Sequence, residues 1–161
     1  MPKLLLAEDD EFSRDMLTRR LEKAGYEMIA ACDGKEAVLS ARLHHPDLIL
    51  MDLDMPVMDG KSAIRALKSD PHLFKIPVLV LTAHATPAYV ADAVEAGCGA
   101  YETKPIVLRH LIERIEELLV KSRHAGVPVF PAPSHAADQP PALATPAQSA
   151  AAEPKDPAPS P

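Results

Sequence analysis

Acidic residues follow two short apolar runs of the sequence. The triplet Glu8-Asp9-Asp10 comes directly after Leu4–Ala7, and Asp52 comes directly after Leu48–Met51. A charge at the end of an apolar run is costly to bury without a partner. Carboxylates that converge repel one another, and this repulsion raises a pKa or recruits a cation. Because these oxygen ligands come without His or Cys, the pattern favours Mg²⁺ over zinc.

Two later apolar runs end in a hydroxyl group and an ammonium group. Thr82 follows Val78–Leu81, and Lys104 follows a short run near residues 99–103. A metal ion, an ammonium and a hydroxyl beside one carboxylate can bind the three oxygens of a phosphoryl group. The carboxylate would be the nucleophile and would form an acyl phosphate. Thr82 and Lys104 are ordinary residues when taken singly, and their order after the acids is what indicates a site.

The acidic triplet has a second interpretation. Acids in the turn after a strand often cap the next helix, because their oxygens accept hydrogen bonds from its free N–H groups. The spacing of Glu8, Asp9 and Asp10 leaves both interpretations open.

The apolar runs predict buried strands. They are continuous rather than alternating, which is typical of strands covered on both faces of a parallel sheet. The predicted strands are Leu4–Ala7, Met28–Ala31, Leu48–Met51, Val78–Leu81 and a short fifth one near 99–103.

Helical patterns fill the intervals between these strands. The first helix ends at Gly25, a second opens with an Asp33-Gly34-Lys35-Glu36 capping box, a third covers 60–68, and a fourth begins at Thr86-Pro87. The last helix has one apolar stripe, made by Leu108, Leu111, Ile112, Ile115, Leu118 and Leu119. Five β/α pairs predict an α/β fold with a five-stranded parallel sheet, five helices and right-handed crossovers.

Composition excludes several classes of protein. The chain has 17 Lys and Arg against 23 Asp and Glu, a net charge of −6, which argues against electrostatic binding of nucleic acid. No apolar run approaches the roughly 18 residues that span a membrane, and the start lacks a secretory segment of about 7–15 apolar residues. Cys32 and Cys98 lack metal-site spacing and are expected to be buried thiols in a reducing compartment. We therefore expect a cytoplasmic protein that binds neither nucleic acid nor membrane.

The last 37 residues differ in composition from the rest. Ten of the 17 prolines lie in 125–161, and the only aromatic residue there is Phe130. Such a segment buries too little apolar surface to offset the entropy of ordering it. We predict a folded domain over 1–124 and a Pro/Ala-rich disordered tail over 125–161. The apolar segment Val127–Pro131 could alternatively dock on the domain or on a partner.

Four segments resemble the response-regulator receiver domain of two-component signalling. They are LLAEDD at 5–10, DLILMDLDMPVMDG at 47–60, LTA at 81–83 and YETKP at 101–105. The match keeps its order and spacing from about Pro2 to Val120, and the D-x-x-M-P-x-M-D-G run that begins at Asp52 is highly specific. The resemblance implies a flavodoxin-like, doubly wound (βα)5 fold.

The resemblance also implies a role for each matching residue at the site. Asp52 would accept a phosphoryl group from a histidine kinase or a histidine phosphotransfer protein. Asp9 and Asp52 would bind Mg²⁺ together with the backbone carbonyl of Asp54, and Glu8 would act through a metal-bound water. Lys104 would bind a phosphoryl oxygen.

A second set of residues would transmit the signal. Thr82 would hydrogen-bond the phosphoryl group, and Tyr101 would turn inward as Thr82 moves. This population shift would change the face of helix 4, strand 5 and helix 5 that a downstream target protein binds, in a monomer or a phosphorylation-dependent dimer. Pro105 would follow a cis peptide bond. In this family, the positions of Asp54 and His84 tune the lifetime of the phosphoryl group, and His84 is expected on the solvent side.

Two rival interpretations remain open at this point. The chain could be a receiver-like interaction module that is never phosphorylated. Asp52-Leu-Asp54 also resembles the Asp-x-Asp strand end of haloacid-dehalogenase-type phosphatases, although the further acids and cap segment of those enzymes are missing. Under the receiver interpretation the protein is not an enzyme, since it catalyses only its own phosphorylation and dephosphorylation. The sequence does not choose between a relay intermediate and a terminal regulator.

Overall fold

A computed structural model describes residues 1–124 of the chain. Five strands alternate with five helices, as predicted. The strands are β1 Lys3–Ala7, β2 Glu27–Ala31, β3 Leu48–Asp52, β4 Val78–Thr82 and β5 Ala100–Thr103. The helices are α1 Glu11–Lys23, α2 Gly34–His44, α3 Gly60–Ser69, α4 Pro87–Ala96 and α5 Leu108–His124. The predicted tail over 125–161, with its apolar segment Val127–Pro131, lies outside the described residues.

The five strands form one parallel sheet in the order β2-β1-β3-β4-β5. The chain runs outward from β1 to one edge and then crosses back to β3, so the direction of winding reverses between these two strands. In open α/β sheets, the crevice outside the carboxyl ends of the strands at such a reversal is the usual ligand site. The register pairs Ala7 with Met51, which brings the residues after β1 close to the end of β3.

The continuous apolar runs are explained by helices on both faces of the sheet. Leu4 and Leu6 pack toward α1 and α5, whereas Leu5 and Ala7 pack toward α2, α3 and α4. All four residues are fully buried. Because successive side chains of a strand point to opposite faces, a strand covered on both sides must be apolar at every position.

Side-chain caps set the start of the helices. Asp33 accepts a hydrogen bond from the backbone N–H of Glu36 at 2.8 Å, and Thr86 accepts one from that of Tyr89 at 3.3 Å, so both predicted caps are confirmed. In a capping box, the Glu36 carboxylate would accept a hydrogen bond from the backbone N–H of the cap residue Asp33. It accepts instead from the backbone N–H of Cys32, one residue earlier, at 2.9 Å. Gly25, with φ of 101°, follows α1 in a left-handed conformation at the point where the helix is predicted to end.

The prediction of buried thiols is correct for one cysteine and wrong for the other. Cys98 is buried, and burial raises the pKa of its thiol to about 12. Cys32 is exposed because it follows β2, which is an edge strand of the sheet. None of the helices within residues 1–124 is long and apolar enough to cross a membrane.

Two glycines let the loop after β3 lie against its neighbours. A Cβ on Gly34 would lie 2.3 Å from the carbonyl oxygen of Met58, and a Cβ on Gly60 would lie 2.3 Å from that of Asp52. The backbone N–H of Gly60 donates to the carbonyl of Leu53 at 3.0 Å, which closes the loop onto the end of β3. The absence of a side chain at these positions is therefore a condition for the geometry around Asp52.

The substitution Gly60→Ala tests this packing. The added methyl group would overlap backbone atoms, which cannot swing aside, so we expect the free energy of unfolding to fall by about 2 kcal/mol or more. Urea unfolding followed by circular dichroism measures the change. The exposed substitution Lys35→Ala is the control and should change stability by less than about 0.5 kcal/mol. Equal effects of the two substitutions would contradict the proposed role of Gly60.

Candidate functional site

Two buried carboxylates share one ammonium group at the carboxyl edge of the sheet. Lys104 Nζ lies 3.1 Å from Glu8 Oε1 and 3.1 Å from Asp52 Oδ2. The side chains of Glu8 and Asp52 are 7% and 6% exposed, while that of Lys104 is 30% exposed. Three residues that the sequence separates by up to 96 positions therefore meet in one ion-pair cluster.

Backbone hydrogen bonds hold the members of this cluster in place. The backbone N–H of Asp54 donates to Asp52 Oδ1 at 3.1 Å, so that both oxygens of Asp52 are engaged. The backbone N–H of Lys104 donates to the carbonyl of Thr82 at 2.8 Å, and this bond extends the pairing of β4 and β5 up to the lysine. The Lys104–Pro105 peptide bond is cis, as expected.

The acidic triplet after β1 divides between the two interpretations that the sequence left open. Ligand oxygens of Glu8, Asp9 and Asp52 all lie within 4.8 Å of one another. Asp10 faces α1, where its carboxylate accepts from the backbone N–H of Ser13 at 2.8 Å. This hydrogen bond lowers the pKa of Asp10. Two of the acids thus belong to the cluster, and the third caps the helix.

The clustered residues fit a divalent cation with oxygen ligands. Three carboxylates face one ammonium, which leaves a net charge of −2 when all are ionised. Glu8 Oε2 is buried and has no hydrogen-bond partner among residues 1–124. A buried carboxylate oxygen without a partner is costly, and a cation or its bound water would satisfy it. Oxygen-only donor sets of this kind suit Mg²⁺.

Burial and crowding shift the ionisation of the cluster. Burial raises the pKa of Glu8 to about 7, and the neighbouring carboxylate of Asp52 adds to this effect against the opposing charge of Lys104. Burial by itself lowers the pKa of Lys104, but the charges of Asp52 and Glu8 outweigh it and raise that pKa. The lysine therefore stays charged, and Glu8 keeps its proton to a higher pH than an ordinary glutamate does.

The two residues predicted to transmit a signal lie on adjacent strands. Thr82 ends β4 and is buried, and its hydroxyl accepts a hydrogen bond from the backbone N–H of His84 at 3.0 Å. Tyr101 on β5 is half-buried, is paired in register with Val80, and packs against the core beneath α2, α3 and α4. His84 is exposed, as expected. The switch roles of Thr82 and Tyr101 stay predictions.

Sequence reasoning missed two residues that contact the site. Arg14 Nη1 donates to the carbonyl oxygens of Glu8 at 2.8 Å and Asp9 at 3.3 Å, which ties α1 to the turn that carries both acids. The Tyr89 hydroxyl donates to Asp54 Oδ1 at 2.7 Å. Burial, followed by this hydrogen bond, raises the pKa of Tyr89 to about 12. Both residues lie in the first turn of a helix that follows a strand, α1 for Arg14 and α4 for Tyr89. Side chains at such positions lie close to the carboxyl edge of the sheet, so this position in the sequence could have indicated them.

The chain has a doubly wound parallel sheet, and its acidic cluster lies where the direction of winding reverses between β1 and β3. These features define a flavodoxin-like α/β protein with a site at the ends of those two strands. The family model of the response regulator receiver domain matches residues 4–116. The chain therefore belongs to the receiver-domain family of two-component response regulators. Proteins of this family act in phosphorelay signalling and are not enzymes in the usual sense, so the phosphatase interpretation is set aside.

Individual relatives agree with this assignment. The polar-differentiation response regulator DivK of Brucella ovis is 39% identical over 116 residues, which cover 72% of this chain and 94% of DivK. The chemotaxis protein CheY4 of Vibrio cholerae is 30% identical with a TM-score of 0.70, over 73% of this chain and 98% of CheY4. The receiver domain of a sensor histidine kinase from Pseudomonas aeruginosa matches equally well, at 30% identity and a TM-score of 0.70 over 74% of this chain and 98% of that domain. That structure has a magnesium ion coordinated in its active-site cleft.

The raised pKa of Glu8 predicts how stability depends on pH without divalent cations. Between the ordinary value of 4.5 and about 7, the folded chain binds more protons at Glu8 than the unfolded chain does. The free energy of unfolding therefore falls as the pH rises through this window, by a contribution on the order of 2 kcal/mol. Glu8→Gln cannot ionise, so it should lose this decline and exceed the unaltered chain in stability at pH 8.

Urea unfolding at pH 5 and pH 8 in the presence of EDTA measures this difference. The exposed substitution Glu22→Gln on α1 is the matched control, and it should keep the decline of the unaltered chain. A Glu8→Gln variant that loses stability with pH as steeply as the unaltered chain would contradict the assignment of the decline to Glu8.

Proposed function

We propose that this chain receives a phosphoryl group on Asp52 from a histidine kinase or a histidine phosphotransfer protein. The observation that carries the proposal is the ion-pair cluster in which Lys104 Nζ lies 3.1 Å from both Asp52 and Glu8 at the buried edge of the sheet. A carboxylate with both oxygens held by donors is oriented for one direction of attack. We also assign the receiver unit to residues 1–124, in a cytoplasmic protein.

In the proposed reaction, an Asp52 oxygen forms a bond to phosphorus while the bond from phosphorus to the donor's histidine nitrogen breaks. The electron pair of the broken bond stays on the donor imidazole, which takes up a proton. The Lys104 ammonium, which contacts Asp52 before the reaction, would then form an ion pair with a phosphoryl oxygen and stabilise its negative charge. The Thr82 hydroxyl at the end of β4 supplies a hydrogen bond to another oxygen.

The proposed cofactor is Mg²⁺. Asp9, Asp52 and the backbone carbonyl of Asp54 would hold the ion, and Glu8 would bind one of its water molecules. The ion supplies positive charge that offsets the carboxylates and the incoming phosphoryl oxygens. The unpartnered oxygen of Glu8 and the spacing of the three carboxylates support this assignment.

The proposed output is a change in the surface formed by α4, β5 and α5. Thr82 and Tyr101 would shift together once Asp52 carries a phosphoryl group, and a downstream target protein or the next member of a relay would bind the altered surface. The chain would act as a monomer or as a phosphorylation-dependent dimer. An interaction module that is never phosphorylated is the alternative that the following test separates.

The phosphorylation site is tested with Mg²⁺ and a small phosphodonor such as acetyl phosphate. We expect the unaltered chain to be labelled and Asp52→Asn to lose the label, because the amide is a poor nucleophile. Intact-protein mass spectrometry measures the label. The control Asp47→Asn, placed before the opposite end of β3, should be labelled like the unaltered chain. Full labelling of Asp52→Asn would refute the site, and an unlabelled but folded natural chain would favour the interaction module.

The metal assignment is tested separately by Mg²⁺ titration of the unphosphorylated chain. Asp9→Ala removes one of few carboxylate ligands, so we expect the affinity for Mg²⁺ to fall at least about tenfold. Calorimetry measures the affinity without requiring phosphorylation. Asp10→Asn is the matched control, because the asparagine keeps the helix cap next to the site, and its affinity should stay within about twofold. Equal losses in the two variants would contradict the ligand role of Asp9.

A further inference from the structure

Tyr89 connects α4 to the loop that follows Asp52. Its hydroxyl donates to Asp54 Oδ1 at 2.7 Å. Two other contacts hold its ring: Lys61 Nζ lies 4.9 Å from the ring centroid, and the His84 ring meets it edge-on with centroids 6.1 Å apart. The ring is thus fixed independently of the hydroxyl, and the hydroxyl is free to act on Asp54 alone.

Asp54 has two separate connections at the site. Its backbone N–H donates to Asp52 Oδ1 at 3.1 Å, whereas its carboxylate is bonded to Tyr89. Among residues 1–124, the clustered ligand oxygens that include Asp52 come from Glu8, Asp9 and Asp52 itself, and the Asp54 carboxylate lies outside that group. A carboxylate only two residues from the proposed acceptor is therefore turned toward α4.

The position of this carboxylate matters for the loss of the phosphoryl group. In hydrolysis, a water oxygen forms a bond to phosphorus as the bond from phosphorus to the Asp52 oxygen breaks, and the electron pair returns to the Asp52 carboxylate. One water proton is taken up by a nearby base and passes on to the released phosphate. A free carboxylate beside the acceptor can orient that water and accept its proton. A carboxylate that is held elsewhere by a hydrogen bond does so less well.

We propose that Tyr89 is a positioning residue that lengthens the life of the phosphorylated state, because its hydroxyl holds the Asp54 carboxylate away from the water that attacks phosphorus. The inference rests on the proposed phosphorylation of Asp52. Tyr89 acts through Asp54 and does not itself touch the reacting atoms. The hydrogen bond at 2.7 Å, the independently fixed ring and the exclusion of Asp54 from the carboxylate cluster carry the inference.

A double-mutant cycle on the full chain tests the proposal. The unaltered chain, Tyr89→Phe, Asp54→Ala and the double variant are labelled with acetyl phosphate and Mg²⁺, the donor is removed, and the first-order loss of label is followed by mass spectrometry. Tyr89→Phe keeps the ring and frees Asp54, so its decay constant should rise about threefold or more. In the Asp54→Ala background, the same substitution should change the decay constant by less than about 1.5-fold.

Tyr26→Phe is the matched control. The Tyr26 hydroxyl donates to Glu116 on α5, so removing it leaves the site intact and should leave the decay constant unchanged. Thermal unfolding of every variant shows whether a substitution destabilises the whole domain. If Tyr89 had only a structural role, Tyr89→Phe would lower stability equally with and without the Asp54 carboxylate.

The possible outcomes separate this inference from the proposed function. An unlabelled natural chain overturns both. Normal labelling with an unchanged or slower decay in Tyr89→Phe overturns only the role of Tyr89. An equal acceleration with and without Asp54 also overturns it, because the effect would then not pass through that carboxylate. Acceleration that depends on Asp54 supports the proposal.

Discussion

Two carboxylates that are more than nine-tenths buried share a single ammonium group at the ends of β1 and β3, and the rest of the structure is arranged around that contact. Burying a charge is tolerated when it is paired and hydrogen-bonded. Lys104 pairs with Glu8 and Asp52 at once, yet one oxygen of Glu8 remains without a partner in the described part of the chain. When ionised, these two carboxylates carry more negative charge than one ammonium can neutralise. The excess negative charge and the unpartnered oxygen both favour the binding of a cation.

The scaffold accounts for how such a contact is maintained. The apolar strands β1 and β3 are covered by helices on both faces, so their ends cannot move apart without opening the core. The loop after β3 is held at closer range, with Gly60 pressed against the backbone of Asp52. Within that loop, Val57 has φ of 67° and the backbone N–H of Met58 donates to the carbonyl of Pro56 at 2.7 Å. A β-branched residue in the left-handed region is strained, and such strain is typical of functional loops.

The site is also connected outward to the helix that borders it. Asp54 links Asp52 to Tyr89 through its backbone and its side chain, and Lys61 connects α3 to α4 by its 3.4 Å ion pair with Asp92. A change in charge at Asp52 is thus applied to a loop that is bonded directly to α4. Coupling of this kind needs only contacts between neighbouring elements, and these contacts lie on the same side of the sheet as the core beneath α2, α3 and α4.

The sequence by itself determined the alternation of strands and helices, the caps at Asp33 and Thr86, and the family, because these follow from local periodicity, local hydrogen bonding and a contiguous motif around Asp52. Residue type alone left the acidic triplet ambiguous, since Glu8, Asp9 and Asp10 are alike in charge, and only the family resemblance singled out Glu8 and Asp9. The tertiary structure decided that Asp10 turns away from the cluster and caps α1. It also decided that Cys32 is exposed, because edge position depends on strand order. The contact of Tyr89 with Asp54 joins elements 35 residues apart in the chain. The contact of Arg14 with the turn after β1 is local, at five and six residues, but no sequence pattern encodes which carbonyl groups a long side chain will reach.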